Sequence, residues 1–232
     1  MFRFKQFVVE DELCAMKVGT DGVLLGAWAD VSDGCRLLDA GTGSGLIALM
    51  LAQRNTKAHI TAIDIDSGAV CQARANVERA SWHERISVEC ADMRTYLSDS
   101  LFDHIVTNPP YFVDGVPSPD MARTMARHTT SLSFTDIVNS AVRMLCNGGR
   151  LSVVLPTEQA AMFRREAFGR LWLTRLLDVS SREGELPKRT LMEFILSDAP
   201  VMPRVESLAI YSADGSYSDC YRQLTSDFYL KF

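Results

Sequence analysis

The stretch Cys35–Ala52, "CRLLDAGTGSGLIALMLA", decides the fold. "CRLLDAG" is an apolar run entering a turn, as a buried strand does, and Gly45 to Arg54 carries apolar residues at helical period. Between them stand Gly41, Gly43 and Gly45. Glycine adopts positive φ readily and lets a ligand approach the backbone, and the N-terminus of the next helix presents unpaired N–H groups. Strand, glycine turn and helix in that order form one unit of a parallel sheet whose turn receives something flat or polar. The spacing is G-x-G-x-G. Leu46 stands where the third glycine of the dinucleotide fingerprint would fall, which argues against a pyrophosphate site.

Outward from this unit the alternation continues. "HITAIDI" is a second strand, followed by a helix with Ala69, Val70, Ala73, Val77 and Ala80 on one face. "ISVECAD" supplies a third strand and "FDHIVTN" a fourth. Ser133 and Asp136 have the spacing of a capping box. Phe134, Ile137, Val138, Ala141 and Leu145 then recur at helical spacing until "NGG" ends the helix and "RLSVVLP" gives a fifth strand. "LWLTRLLDVS", "RTLMEFILS" and "ESLAIYS" have strand character, Asp214-Gly215 marks a turn, and Ser218 caps a last helix. The pattern predicts an α/β fold with a mostly parallel sheet and helices around it. No linker or repeat interrupts it. Residues 31–232 read as one catalytic domain behind an N-terminal extension, 1–30, whose "GTDGVLLGAWA" is helical from Asp21. Val113 to Ser131 is the longest stretch without a helix or strand signal, which makes it a candidate lid or substrate-binding loop.

Composition narrows the function classes. The chain has 232 residues and a formal net charge of −5, which argues against a surface coated in positive charge for non-specific nucleic-acid binding. A local basic face remains open: Arg123 and Arg127, Arg164 and Arg165, and Lys188 and Arg189 gather in pairs. The six cysteines and four histidines are scattered with no C-x-x-C pair, so neither a disulfide framework nor a metal site is expected. No long apolar run or signal peptide is visible, and a cytoplasmic location is the expectation.

Position links the acidic residues to the glycine turn. Asp64 ends the second strand, where a carboxylate can accept hydrogen bonds from both hydroxyls of a ribose. Asp92 follows the third strand, where an adenine amino group could donate to it. Loops at the carboxyl ends of adjacent strands converge on one crevice in folds of this type, so the three features point to a nucleoside. The fourth strand ends in "NPPYF", Asn108 to Phe112. Pro109 and Pro110 cannot donate to a ladder, so the strand must stop at the amide side chain.

These residues carry a resemblance. "LLDAGTGSGLIALMLA", "AIDID", "CADM" and "NPPY" resemble the ordered motifs of class I S-adenosylmethionine-dependent methyltransferases over Gly34 to Pro156. More narrowly, "FKQF", "CAMKVGTDGVLLGAWA", "NPPYF", "LPKRTLMEF" and "YSDCYRQLTSDFYLKF" resemble the bacterial tRNA1(Val) adenine-37 N6-methyltransferase family almost end to end. The resemblance implies a Rossmann-like, seven-stranded sheet of order 3-2-1-4-5-7-6 with a reversed strand at one edge. It implies S-adenosyl-L-methionine as cofactor, held by Lys17, Thr20, Asp39, Gly41, Thr42, Gly43, Gly45, Asp64, Ile65, Asp92, Met93 and Asn108. The N-terminal segment with Lys17, Thr20 and Asp21 would fold over the cofactor's methionine end. Catalysis would fall to Asn108, Pro109, Pro110 and Tyr111, and substrate contact to Tyr111, Phe112, Arg127, Lys188 and Arg189. The implied partner is tRNA; a monomer is the expectation, though no sequence feature argues for it, and the chemistry requires no metal.

The chemistry fits the residue types. The exocyclic amine of adenine is a poor nucleophile because its lone pair is delocalised into the ring. If the Asn108 side-chain oxygen and the Pro109 carbonyl each accept one amino hydrogen, the nitrogen is favoured in its pyramidal form and the developing positive charge is stabilised. Tyr111 and Phe112 would stack on the base. A glutamine amide is also a planar nitrogen with two hydrogens, so a protein glutamine-amide methyltransferase is the alternative, followed by a DNA adenine or cytosine amino methyltransferase. From another class, a non-catalytic cofactor-binding module or a dinucleotide oxidoreductase is opposed by the intact NPPY and by the glycine spacing.

Overall fold

The structure, a computed structural model, describes residues 1–31, 35–110 and 132–231. A short hairpin of β1 (Phe2–Arg3) and β2 (Val8–Val9) precedes α1 (Thr20–Trp28). The glycine unit follows as β3 (Arg36–Ala40) and α2 (Leu46–Arg54). After it come β4 (His59–Asp64), α3 (Ser67–Glu78), β5 (Ile86–Cys90) and β6 (Phe102–Thr107). The second half contains α4 (Phe134–Met144), β7 (Leu145–Pro156), α5 (Thr157–Ala167), β8 (Trp172–Arg182), β9 (Arg189–Ile195), β10 (Arg204–Tyr211) and α6 (Asp219–Thr225).

The main sheet has eight strands in the order β10-β8-β9-β7-β6-β3-β4-β5. This corrects the seven-stranded expectation: β10 joins as an eighth strand, parallel to β8, beyond the block formed by the other seven. Among the described residues one strand of this sheet is reversed: β9 is antiparallel to both β7 and β8 and so sits inside the sheet, not at its edge. A second correction concerns "NGG". It lies within β7, where Cys146–Gly149 bulges between the partners Phe102↔Leu145 and His104↔Arg150. Gly148 absorbs the bulge at φ 81°, and Gly148 and Leu196 keep the ladder with β9 through a 2.8 Å bond. Leu145, counted into the helical pattern, is the first strand residue.

The inner strands are apolar on both faces, and the side-chain period of two sorts their residues into two cores. Leu37, Val106, Val154, Leu177 and Leu191 face α1, α2 and α6, whereas Leu38, Ile105, Val153, Leu176 and Met192 face α4 and α5. The N-terminal residues are built into the first core: Phe4, Phe7 and Val9 are buried, and every residue of α1 from Gly22 to Trp28 is buried. Such a helix, apolar all round, needs cover on every side. Gly22 and Gly26 let α2 in close, since a Cβ at Gly26 would lie 2.7 Å from the Met50 sulfur. Arg54 Nη1 donates to the Gly26 carbonyl at 2.9 Å and holds the C-terminal end of α1.

Candidate active site

The site forms at the carboxyl ends of β3, β4 and β6, where the parallel strands turn back into helices. Gly41, Gly43 and Gly45 have φ of 74°, 55° and 81°, the left-handed region that the sequence pattern demanded. A Cβ built on Gly41 or Gly43 meets nothing within 4 Å, so the turn faces open space, while one on Gly45 would touch Ala73 of α3 at 3.4 Å. The first two glycines leave room over the backbone, and the third lets the two helices meet.

Hydrogen bonds fix this turn to its neighbours. Gly41 and Thr42 both donate to the Ile63 carbonyl at 2.9 Å, and Gly43 donates to Asp64 Oδ2 at 2.8 Å. Asp64 Oδ1 accepts from the Asp66 amide at 2.9 Å, so each carboxylate oxygen keeps further lone-pair capacity for a diol. Burial pushes the Asp64 pKa up, and these backbone donors oppose the shift. Asp39, wholly buried, accepts from Thr42 Oγ1 at 2.6 Å and from the Ala48 amide at 3.0 Å through Oδ2. Its Oδ1 has no partner among the described residues, and burial raises its pKa to about 7.

Asn108 follows β6 directly. Thr107, the last strand residue, donates its hydroxyl to the Ala40 carbonyl at 2.8 Å, which locks the β6 end to the start of the glycine turn. The Asn108 Oδ1 atom is buried and has no hydrogen-bond partner among the described residues. Leaving such an acceptor unmatched costs about 1–3 kcal/mol, a cost tolerated where a ligand supplies the donor. A Cβ on Gly22 would lie 4.0 Å from Asn108 Nδ2 and 3.1 Å from Leu46, so the start of α1 forms the wall beside the amide. Gly22 was not among the candidates, and its one sequence signal was its place in "TDG".

The other candidates divide. Asp92 is held by Arg94, with Arg94 Nη2 2.6 Å from Oδ2, and that hydrogen-bonded pair holds its carboxyl below the usual range. Ile65 is 41% exposed at the end of β4, an apolar shelf beside Asp64, whereas Met93 is buried in the second core. The Lys17 ammonium donates to the carbonyls of Asp11, Cys14 and Glu12 at 2.8, 3.1 and 3.3 Å, pinning its own loop. Arg189 Nε donates to Asp21 Oδ2 at 2.7 Å, and the adjacent Lys188 is exposed. Both reach the carboxyl edge because β9 is reversed and Arg189 pairs with Pro156, the last residue of β7. Pro109 is buried and Pro110 exposed, next to Asn108. Tyr111, Phe112, Arg127 and the candidate lid Val113–Ser131 lie outside the described residues. Among the described residues no group of three or more His, Cys, Asp or Glu side chains could hold a metal, and no helix is long and apolar enough to cross a membrane.

A glycine cradle, an acid at the second strand end and an orphan amide at the fourth strand end together define a methyltransferase, and the matching family model, described as the methyltransferase small domain, covers residues 21–174. A structure titled as a "predicted O-methyltransferase" from Agrobacterium tumefaciens aligns with a TM-score of 0.71 over 90% of this chain and 96% of its own, at 22% identity, which establishes the fold. The curated tRNA1(Val) (adenine(37)-N6)-methyltransferase of Bacteroides thetaiotaomicron is 45% identical over 99% of this chain and 97% of its own length. That of Trichodesmium erythraeum is 44% identical over 100% and 98%. The chain belongs to the tRNA1(Val) (adenine(37)-N6)-methyltransferase family, and its cofactor is S-adenosylmethionine.

Proposed function

We propose that the protein transfers a methyl group from S-adenosylmethionine to the exocyclic N6 of an adenine in tRNA, adenosine 37 of tRNA1(Val). The observation that carries the reading is the buried, unmatched Asn108 Oδ1 beside the glycine turn, in a chain similar over its whole length to relatives bearing that name. The residues present suit the cofactor: open space over Gly41 and Gly43, spare acceptor capacity on Asp64 and the apolar shelf of Ile65 match a nucleoside. When bound, the cofactor supplies an electrophilic methyl on a sulfonium.

The protein then has two tasks. Asp64 fixes the ribose, and Thr42, Gly43 and Asp39 shape the floor beneath it. Asn108 Oδ1 and the Pro109 carbonyl accept the two amino hydrogens, which turns the nitrogen lone pair toward the methyl and stabilises the charge formed during transfer. Pro109 and Pro110 hold that carbonyl rigid by their fixed φ. With the cofactor held there, transfer would be an in-line displacement helped by orientation, the new C–N bond forming as the sulfonium C–S bond breaks and S-adenosylhomocysteine leaves; the amino proton would pass to water afterward, so no strong base is assigned. Tyr111 and Phe112 stack the base, and Arg127 and Lys188 contact the RNA backbone. We assign the protein to the cytoplasm as a monomer, with residues 1–30 closing over the cofactor and 31–232 as the catalytic domain.

The test is to incubate the protein with labelled S-adenosylmethionine and unmodified tRNA, digest to nucleosides and identify the labelled product. Labelled N6-methyladenosine, absent with Asn108→Ala, is the expected result. Label in a protein glutamine and none in RNA would overturn it.

A further inference from the structure

We propose that Arg189 is a positioning residue that holds the start of α1 against the catalytic amide through its ion pair with Asp21; this rests on the methyltransferase reading of the site. The tandem Lys188-Arg189 looks like one basic patch, but the strand pleat sends its two side chains apart. Lys188 stays out, 66% exposed, with its nearest carboxylate, Glu185, 3.9 Å away. Arg189 turns inward to Asp21 at 2.7 Å, with the two side chains 32% and 19% exposed.

Asp21 lies in the first turn of α1, one residue before Gly22. Gly22 is the residue whose Cβ would stand 4.0 Å from Asn108 Nδ2 and 3.1 Å from Leu46, the first residue of α2. The N-cap of α1, Gly19, makes no side-chain capping bond, so this helix start lacks the usual local anchor. The Asp21–Arg189 pair spans 168 positions of sequence and ties the helix start to the first residue of β9. Arg189 is itself placed by pairing with Pro156 at the top of β7. If the tie is cut, the wall that the start of α1 forms beside Asn108 and Leu46 loses its register.

The experiment is a double-mutant cycle on the full chain: Asp21→Asn, Arg189→Gln and both together. S-adenosylhomocysteine affinity is measured by calorimetry, and kcat and KM are measured on tRNA. Each single change is expected to weaken cofactor affinity and kcat by about tenfold, with the double change no worse than the poorer single. Arg189→Lys should restore most of the loss. Additive losses, or a raised KM for RNA in Arg189→Gln alone with cofactor affinity intact, would overturn the assignment and make Arg189 an RNA contact. Failure of Arg189→Lys to recover affinity while all variants melt alike would overturn it as well. The calorimetric arm needs no RNA, so a wild-type protein that binds the cofactor but leaves tRNA unlabelled defeats the functional reading and leaves this one testable.

Discussion

Gly43 donates its backbone N–H to the Asp64 carboxylate at 2.8 Å, so the residue proposed to hold the ribose also holds the turn beneath it. On the proposed reading one carboxylate serves both the shape of the cradle and its ligand. Asp64→Ala is expected to lose the diol contact and loosen the turn together, weakening S-adenosylhomocysteine binding by at least about a hundredfold, the loss of two hydrogen bonds to a charged group. Isothermal titration measures this directly, and an affinity within threefold of wild type would show that Asp64 does not face the ribose.

Asn108→Ala separates activity from stability. Removing one donor or acceptor that acts on transition-state charge costs roughly 10²–10³ in kcat. The same change removes a buried acceptor that is unmatched among the described residues, so the apoprotein should melt no lower than wild type, and up to several degrees higher. Calorimetric melting beside the labelled-tRNA assay reads both. A lower melting temperature would mean that the amide is satisfied within the protein and is not waiting for substrate.

Two buried groups give opposite pH slopes. Asp39 has its pKa raised to about 7, so between about 4 and 7 the folded state holds a proton that the unfolded state has released, and stability falls as pH rises. His104 is held neutral by burial, its pKa lowered to about 4, while its ring accepts and donates between the Asp30 carbonyl and the Ser152 hydroxyl, each at 2.8 Å. From about 4 to its unfolded value of about 6.5 the unfolded state holds the extra proton, and stability rises with pH. The two contributions oppose one another in wild type. Asp39→Asn should therefore steepen the rise of denaturant-measured stability with pH by up to about 1.4 kcal/mol per unit over this window. An unchanged slope would show that Asp39 is ionised in the folded state.

Gly26→Ala tests the contact between α1 and α2. Alanine is the better helix former by about 1 kcal/mol, yet its Cβ would press on Met50 at 2.7 Å inside a closed core. Net destabilisation of about 1–2 kcal/mol is expected, with Met50→Ala absorbing part of it in the double variant. A neutral or stabilised Gly26→Ala protein would contradict the close approach.

Much of this was legible because its causes are local. The glycine turn, the capping box at Ser133, the last cap at Ser218 and the strand ends at Asp64 and Thr107 each depend on residue types within a few positions. The order of the first five strands and the reversal of β9 came through family resemblance, since long-range pairing leaves no periodic mark. The "NGG" segment misled because glycine after an apolar helical run ends helices and opens strand bulges alike, and here Gly148 does the second. Arg189 and Lys17 look like ligand contacts in sequence, and only the fold brings Asp21 and the 11–14 carbonyls to them. The residues of β10 carry strand character, but nothing in them fixes which edge of the sheet they join.

The reversal of β9 has a further consequence for how this fold can change. After β3, β4, β7 and β10 the chain leads from the reactive edge into a helix, so lengthening those loops displaces that helix from the sheet. The connection from Arg182 to Arg189 is instead a hairpin with no helix behind it. Added residues there cost little, since closure entropy grows only slowly with length. This hairpin rim is thus an inexpensive place for a lineage to try a new surface shape while the glycine turn and its neighbours stay as they are.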